Sequence, residues 1–215
     1  MNRRDFSLAA SAALTLSAGL AVPAHAKDGK FEEGIEYLEL KKPALTEAPK
    51  GQIEVVEFFW YSCPHCNAFE PSLSAWKNKL PDYVFFRRVP VAFNSSFVPQ
   101  QKLYYALEGM DKVNELHARV FRAVHVERLP LNKDELIFDW VAKQGVDAAR
   151  FKQMYTSFTV ANQVRRATEL QAAYQVEGVP SMGVAGRYYT DGTLTGSMAT
   201  VLQVVDHLVQ QQRKA

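Results

Sequence analysis

The stretch Phe58–Phe69, FFWYSCPHCNAF, contains the only two cysteines of the 215-residue chain, Cys63 and Cys66. The run IEVVEFFW (Ile53–Trp60) leads into it, and the apolar residues of this run fall on both faces, as in a central strand covered by helices. Pro64 follows Cys63, at a position where a helix can begin without losing a hydrogen bond. The sequence therefore predicts a strand, a short turn and a helix, with Cys63 at the start of the helix and Cys66 one turn inside it.

After the cysteines, apolar residues recur at spacings of four, three and four, which places them on one face of the predicted helix. These residues are Phe69, Leu73, Trp76 and Leu80. Pro71 lies inside the same helix and is expected to kink it, because proline cannot donate a backbone hydrogen bond. The run YVFFRRVPV (Tyr83–Val91) then predicts a second buried strand. A strand, a helix and a strand in this order form a βαβ unit with a parallel strand pair.

A long helical segment follows the second strand. Residues 99 to about 175 show helical patterns almost throughout. One helix is expected to begin at Asn132, which together with Glu135 resembles a capping box, and to end at Gly145. We predict a first part of the α/β domain at residues 27–98, a helical insertion domain at residues 99–160, and a second part of the α/β domain at residues 161–215.

Sheet elements return after the helical segment. The runs SMGVAG and RYYT flank Ala185-Gly186 and predict a β-hairpin, followed by a turn at Asp191-Gly192. A final helix shows one apolar face, and the run IEYLEL (Ile35–Leu40) near the other end of the chain predicts a short edge strand. The apolar face consists of Val201, Val204, Val205 and Leu208. The fold class we predict is α/β, with a βαβ half and a ββα half that share a central mixed sheet.

The first 26 residues have the pattern of a signal peptide. A basic start, MNRR, precedes an apolar stretch at residues 8–22, and AHA at residues 24–26 fits a cleavage site after Ala26. Arg3-Arg4 also resembles a twin-arginine signal, although an ordinary basic start is favoured. Either route ends outside the cytoplasm, where disulfides persist.

The composition is that of a folded domain that does not bind nucleic acid. Apolar residues make up 47% of the chain and charged residues 22%, so a packed core is expected. The net charge is +2 at pH 7, whereas a nucleic-acid-binding domain normally shows a concentrated basic face. We interpret the arginine pairs Arg87-Arg88 and Arg165-Arg166 as local ion pairs or as part of a solvated surface.

Three kinds of site are compatible with the cysteine pair: a structural disulfide, a metal site and a redox dithiol. A disulfide between Cys63 and Cys66 closes a loop of only four residues and joins no distant segments, so chain entropy gives it about 2 kcal/mol. A metal site needs further ligands, and the histidines after the signal peptide show no metal-ligand spacing. These histidines are His65, His117, His125 and His207.

A redox dithiol is favoured, because a strand that delivers the first cysteine to a helix N-terminus is the thioredoxin-type arrangement. The helix dipole and the unpaired N–H groups of the first turn favour an anion on Cys63 Sγ. His65, between the cysteines, can add a positive charge or a hydrogen bond. Both effects lower the pKa of the Cys63 thiol below its ordinary value of about 8.5. A stabilised thiolate stabilises the reduced form, which makes the disulfide form a stronger oxidant.

The chain also resembles the DsbA family of periplasmic thiol:disulfide oxidases, which have a thioredoxin fold. The resemblance rests on VVEFFWYSCPHC at residues 55–66, on the helical insertion and on GVPSM at residues 178–182. It extends over essentially the whole chain after residue 26. It implies that Cys63 is the nucleophile, that Cys66 is the resolving cysteine, and that the two form the redox-active disulfide.

The resemblance implies roles for the residues around the cysteines as well. Pro180 corresponds to the family's cis-proline, and Val179 to the residue whose backbone pairs with an extended substrate by β-augmentation. Glu57 corresponds to the family's buried acid beneath the active site, with Arg88 on the next predicted strand as a candidate partner. Pro64-His65 resembles the dipeptide of the oxidases, rather than Gly-Pro of thioredoxins or Gly-Tyr of dimeric isomerases, and is expected to tune the redox chemistry.

We therefore predict a monomeric periplasmic enzyme that donates its disulfide to newly exported, reduced proteins through a mixed disulfide. It is expected to need no cofactor or metal and to bind no nucleic acid. The resemblance implies re-oxidation by a DsbB-type membrane protein that passes electrons to quinone. Two alternatives remain: an exported copper or zinc chaperone that uses the same cysteines with His65, and a disulfide reductase or isomerase of the same fold.

Overall fold

The computed structural model describes residues 31–214. The predicted signal peptide, residues 1–26, lies outside the described residues. Within this range the strands are β1 (Leu38–Glu39), β2 (Ile53–Phe59), β3 (Val84–Pro90), β4 (Ser181–Val184) and β5 (Tyr188–Asp191). The α-helices are α1 (Pro64–Lys77), α2 (Val98–Gly109), α3 (Val113–His125), α4 (Asp134–Lys143), α5 (Ala148–Tyr155), α6 (Phe158–Ala173), α7 (Gly192–Thr195) and α8 (Met198–Lys214). No helix in the described range is long and apolar enough to cross a membrane.

The strands form one mixed sheet in the order β1-β5-β4-β2-β3. Strand β2 is parallel to β3 and antiparallel to β4, while β5 is antiparallel to both β4 and β1. Strand β2 is thus a central strand, and nearly all of it is buried, as its apolar pattern on both faces predicts. The predicted βαβ and ββα halves and their shared sheet are confirmed. The edge strand predicted at Ile35–Leu40 is shorter, because only Leu38–Glu39 pairs with β5.

The hairpin between β4 and β5 turns at the predicted residues. Ala185 and Gly186 both have positive φ values, 54° and 66°, and the Arg187 N–H bonds the Val184 carbonyl at 2.9 Å. Two consecutive residues with positive φ match the right-handed twist of the paired strands. A Cβ at Gly186 would lie 2.4 Å from the Ala44 carbonyl oxygen, so the close approach of another segment also requires glycine there.

Two further local predictions, the cap at Asn132 and the turn at Asp191-Gly192, differ from the structure. Asn132 does not cap α4: Lys133 occupies the N-cap position with an extended backbone, and no side chain caps the helix. Asp134 and Glu135, in the first turn, place negative charge at the helix N-terminus instead. The predicted end of this helix is confirmed, since Gly145 follows it with a φ of 78°.

The turn predicted at Asp191-Gly192 is instead the start of the short helix α7. Asp191 caps it, because Asp191 Oδ1 accepts hydrogen bonds from the N–H groups of Thr193 and Leu194. An aspartate before a glycine suits either a turn or a helix cap, so the sequence pattern alone does not separate the two.

Helices cover both sides of the sheet and position the cysteine stretch. Helix α8 packs against β2, β4 and β5 and also against α1, where Trp76 Nε1 donates to Asp206 Oδ1 at 2.9 Å. The apolar face predicted for α8 is buried and consists of Val201, Val204, Val205 and Leu208. Helices α2 to α6 lie between β3 and β4 along the chain. The domain bounds and the kink at Pro71 stay predictions.

Candidate active site at the start of helix α1

Cys63 is the N-cap residue of α1, as the sequence predicts. Its backbone is extended, with φ −81° and ψ 118°, and its Sγ accepts a hydrogen bond from the Cys66 N–H at 3.4 Å. The side chain thus takes the capping position that Ser or Asp occupies in other helices. Cys66, one turn further, is fully buried, whereas Cys63 keeps 7% of its surface exposed.

The two cysteines are not joined in this structure, so their surroundings are those of the dithiol form. A hydrogen bond from the Cys66 thiol lowers the pKa of Cys63 to about 6, with further help from the N–H groups of Cys66 and His65, although burial opposes the change. Burial raises the pKa of Cys66 far above its ordinary value, and so does the hydrogen bond with Cys63. At neutral pH the pair therefore holds one thiolate, on Cys63, and one thiol, on Cys66.

The predicted substrate-binding residues lie beside the cysteines. The peptide bond between Val179 and Pro180 is cis. Cys63 Sγ lies 3.3 Å from the Val179 carbonyl oxygen, to which it donates a hydrogen bond when it is protonated. Val179 is partly exposed and Pro180 is buried, immediately before β4. The fold therefore brings together two segments that are more than a hundred residues apart in sequence.

Pro64 and His65 form the first turn of α1, and both are exposed. The positive charge of protonated His65 acts to lower the pKa of Cys63, but it is the weakest of the contributions described above. The role of His65 in tuning Cys63 stays a prediction. Pro64 occupies the first helical position, as its fixed φ predicts.

Glu57 lies in a buried ion cluster beneath the cysteines. It faces Arg88 across the β2–β3 pair, and Arg88 Nε donates to Glu57 Oε2 at 2.8 Å. The other side of the guanidinium donates to both carboxylate oxygens of Glu70, on α1, at 2.9 Å. The relative exposures of Glu57, Arg88 and Glu70 are 1%, 6% and 8%. One buried cation therefore serves two buried carboxylates.

The two carboxyl groups of this cluster have opposite pKa shifts. Burial raises the pKa of Glu57 to about 7 against the attraction of Arg88. Burial acts on Glu70 in the same direction, but His117, Arg88 and Ser74 outweigh it and lower the pKa to about 2. Glu70 therefore holds the negative charge that pairs with Arg88, while Glu57 exchanges a proton near neutral pH.

His117 extends the cluster toward the turn before Cys63. Its Nδ1 lies 2.8 Å from the Tyr61 hydroxyl, and its Nε2 lies 3.3 Å from Glu70 Oε2 without the alignment of a hydrogen bond. Burial lowers the pKa of His117, which keeps the ring neutral. A neutral ring protonated on Nε2 accepts the Tyr61 O–H at Nδ1 and presents N–H to Glu70.

The aromatic residues of the cysteine stretch divide into core and rim. Phe59 and Tyr61 are buried in the core. Trp60 is partly exposed and stacks on Phe97, with ring centroids 4.0 Å apart, and Phe93 is 42% exposed beside Phe97. Trp60, Phe97 and Phe93 thus form an apolar rim next to the turn that carries Cys63.

Glu70 and the contacts of His117 are not among the predicted features of the site. A signal existed for both, because Glu70 follows Cys66 by four residues, and His117 lies four residues after Val113 and four before Phe121. A polar residue at helical spacing with apolar ones faces the core and needs a buried partner. No group of three or more metal-ligating side chains occurs in the described residues.

The sheet, the inserted helices and a cysteine pair capping α1 define a thioredoxin-fold protein with a redox dithiol. The model of the DSBA-like thioredoxin domain family matches residues 54–205. The thiol:disulfide interchange protein DsbA of Bordetella parapertussis is 39% identical over 215 residues, which are 100% of both chains. The crystal structure of Pseudomonas aeruginosa DsbA is 40% identical, has a TM-score of 0.82, and matches over 86% of this chain and 95% of that one. The structure of oxidoreductase DsbA from Xylella fastidiosa is 29% identical with a TM-score of 0.78, over 84% and 96%.

The chain belongs to the DSBA-like thioredoxin domain family. It is a protein disulfide oxidoreductase, and the resemblance noted from its sequence is confirmed. The comparisons give no support to a metal chaperone or to a reductase or isomerase.

Proposed function

We propose that this chain oxidises newly exported proteins in the periplasm by donating a disulfide between Cys63 and Cys66. One observation carries the proposal: two thiols in one helical turn have opposite pKa shifts. The pKa of Cys63 falls to about 6, while that of Cys66 rises. A stabilised Cys63 thiolate stabilises the reduced form, so the disulfide form passes its oxidising equivalents on readily.

The first step is attack on the disulfide by a substrate thiolate. The substrate sulfur forms a bond with Cys63 Sγ, and the bond between Cys63 and Cys66 breaks. Cys66 leaves as a thiolate and takes up a proton, because burial makes its charged form unfavourable. Attack falls on Cys63 because Cys66 is fully buried and Cys63 is not. Glu57, which exchanges a proton near neutral pH, is the acid whose protonation state responds to this change of charge.

The second step releases the oxidised substrate. A second substrate thiolate attacks the substrate sulfur of the mixed disulfide, and Cys63 leaves as a thiolate. Its low pKa makes it a good leaving group. In total two electrons pass from the substrate dithiol to the protein, and the substrate gains one disulfide.

Val179 and Pro180 are proposed to align the substrate for these steps. Val179 is partly exposed, and its carbonyl oxygen lies 3.3 Å from Cys63 Sγ. An extended segment that pairs with this backbone brings its cysteine to Cys63. Such pairing needs no particular substrate sequence, which suits an enzyme that acts on many proteins. Pro64 and His65 tune the thiolate from the first turn of α1.

The partners and the location follow from this role. Re-oxidation requires an acceptor for two electrons, and we propose a DsbB-type membrane protein linked to quinone. The chain acts as a monomer after removal of residues 1–26, and no bound cofactor takes part. The predicted signal peptide supports export to the periplasm.

The proposal is tested by the pH dependence of Cys63 alkylation and by the redox equilibrium with glutathione. The alkylation rate is expected to reach half its plateau near pH 6. The reduced fold gains stability from the thiolate above the unfolded thiol pKa and loses it as pH falls through about 6. A midpoint near the ordinary thiol value, together with a reducing potential, would overturn the oxidase direction.

Trapping separates the oxidase from the metal chaperone. Cys66→Ser leaves Cys63 without its resolving partner, so mixed disulfides with exported proteins are expected to accumulate on non-reducing gels. Cys63→Ser, the matched control, leaves only the buried Cys66 and should form none. Absence of adducts in Cys66→Ser, with stoichiometric copper or zinc in the purified parent protein, would instead support the chaperone.

A further inference from the structure

The turn that delivers Cys63 to α1 has little internal support. The Cys63 N–H bonds the Trp60 carbonyl at 3.0 Å and closes the turn. The residues between them, Tyr61 and Ser62, direct polar groups outward rather than to each other. The side chains that bind these polar groups therefore also fix the backbone that leads into Cys63.

Gln100, in the first turn of α2, holds Ser62. Its Nε2 donates to Ser62 Oγ at 2.8 Å and to the Pro130 carbonyl at 3.1 Å. The carbonyl can only accept, so both contacts place the amide nitrogen on this side. Gln100 is 1% exposed. One buried amide nitrogen thus ties the residue before Cys63 to the loop between α3 and α4.

His125, the last residue of α3, holds the neighbouring residue. Its Nε2 lies 2.8 Å from the Tyr61 carbonyl, to which it donates. Two consecutive residues of the turn are therefore bonded by side chains from two different helices of the inserted segment. These contacts come from outside the thioredoxin-type elements β2 and α1.

The next residue along α2 provides a comparison within the same helix. Gln101 is 0% exposed, and its Nε2 donates to the Pro90 carbonyl at 2.8 Å. The Oε1 atoms of Gln100 and Gln101 are both buried without a hydrogen-bond partner in the described part of the chain. The two glutamines share residue type, burial and a bond to a proline carbonyl, and they differ in the contact to Ser62.

We propose that Gln100 is a positioning residue for disulfide exchange, which holds Ser62 so that Cys63 Sγ stays at the N-terminus of α1. This inference rests on the proposed function and adds a role for the inserted helices. The Cys63 thiolate is stabilised by N–H groups of the first turn. A turn that moves carries the sulfur away from those groups, and the stabilisation falls.

The expected effect follows from the size of helix-terminus interactions. Losing part of such an interaction raises the pKa of the Cys63 thiol by about half a unit. Since the reduced form loses that stabilisation, the equilibrium with glutathione at pH 7 shifts about threefold toward the Cys63–Cys66 disulfide. Gln100→Leu keeps the side-chain size and removes both hydrogen bonds.

The experiment compares Gln100→Leu, Ser62→Ala and Gln101→Leu with the parent protein. For each, the alkylation midpoint of Cys63 by iodoacetamide and the equilibrium with glutathione are measured, together with the free energy of unfolding. Gln100→Leu and Ser62→Ala are expected to show the higher midpoint and the threefold shift. Gln101→Leu is expected to have a lower free energy of unfolding than the parent. Its alkylation midpoint and its equilibrium with glutathione should equal those of the parent.

The outcomes separate the two proposals. If the parent itself titrates like an ordinary thiol, the proposed function fails. If Cys63 of the parent titrates near pH 6 and the alkylation midpoints of Gln100→Leu and Ser62→Ala are the same, the positioning role fails. It also fails if Gln101→Leu shifts the midpoint as much as Gln100→Leu does. Should Gln100→Leu not fold, Ser62→Ala decides alone. The double variant should shift no further than Gln100→Leu, and additive shifts in it would overturn the proposed link between the two side chains.

Discussion

The two faces of strand β2 each bury a glutamate paired with an arginine of β3. On the face toward α1, the cysteine face, Glu57 pairs with Arg88 at 2.8 Å. On the opposite face, the α6 face, Glu54 pairs with Arg87 at 2.9 Å. Both glutamates are 1% exposed. The same chemistry thus occurs twice, three residues apart on one strand.

The surroundings of the two pairs differ. Arg88 also binds the carboxylate of Glu70 and is nearly buried. The Arg87 side chain is 18% exposed and lies 3.7 Å from a second carboxylate, that of Glu47, but Arg166 pairs with Glu47 as a second cation at 2.8 Å. Glu54 Oε1 additionally accepts the Glu47 N–H at 2.7 Å. On the cysteine face, two carboxylates therefore share one arginine. Burial raises the pKa of Glu57 there, and the negative charge of Glu70 raises it further.

The largest effect is expected from Arg88→Met. This change leaves Glu57 and Glu70 buried without their shared cation, and removing one partner of a buried ion pair costs about 3–5 kcal/mol. Urea denaturation at pH 7 measures the loss in the free energy of unfolding. A loss below about 1 kcal/mol would show that the cluster does not need its cation.

Arg87→Met is the matched control on the α6 face. It leaves Glu54 without its cation but with the Glu47 N–H as a hydrogen-bond donor, and the Glu47 carboxylate keeps Arg166. The Arg87 side chain is itself partly exposed. We expect a loss of about 1–2 kcal/mol, smaller than for Arg88→Met. Equal losses for the two variants would contradict the difference drawn between the faces.

Glu57→Gln is expected to change the pH dependence of stability. The pKa of Glu57 is about 7 in the fold, above the ordinary value, so its protonation favours the fold at low pH and that contribution is lost as pH rises toward 7. The free energy of unfolding of the variant should therefore rise by about 3 kcal/mol relative to that of the parent between about pH 4 and pH 8. Both proteins in this comparison also carry Cys63→Ser and Cys66→Ser, so that no thiol contributes to the pH dependence.

Glu70→Gln in the same background tests the opposite sign. The pKa of Glu70 is about 2, so its ionised form stabilises the fold above the ordinary carboxyl pKa, and this is lost as pH falls toward 2. The free energy of unfolding of Glu70→Gln should fall relative to the parent as pH rises from about 2 to about 5. The gain expected for Glu57→Gln occurs at higher pH. If the stability differences from the parent change with pH in the same direction for both variants, the assignment of the negative charge to Glu70 rather than Glu57 is refuted.

Local patterns predicted the elements that form the site. The apolar run of β2, the proline after Cys63 and the glycine of the hairpin each specify structure within a few residues, and each was confirmed. The cap at Asn132 was wrong because Asn, Lys and Asp occur in a row at residues 132–134, and the cap is decided by where the backbone turns into the helix.

Contacts across the fold were harder to predict. Arg88 could be suggested as a partner of Glu57, but only the β2–β3 register places them opposite each other. His117 reaches Glu70 because α3 packs on α1, and no local pattern encodes that packing. The positions of Val179 and Pro180 came from resemblance rather than from physics. Their roles, like those of Cys63 and Cys66, stay predictions for the experiments above.

The smallest effect on the cysteines is expected from a change in packing on the α6 face. Gly183, on β4, faces Val56, and a Cβ there would lie 2.4 Å from the ring of Tyr174. Gly183→Ala is therefore expected to destabilise the fold by about 2 kcal/mol through overpacking. The Cys63 alkylation midpoint should not change, because this residue lies on the face away from the thiols.

Tyr174→Leu shows whether the loss at Gly183 comes from this one contact. The smaller side chain removes the ring that a Cβ at Gly183 would meet, so Gly183→Ala should cost less in the Tyr174→Leu background than in the parent, by about 1 kcal/mol or more. Equal costs in the two backgrounds would assign the loss to the strand backbone. A shifted alkylation midpoint in Gly183→Ala would show that the two faces of β2 are coupled, and the α6 face would then also contribute to the chemistry of Cys63.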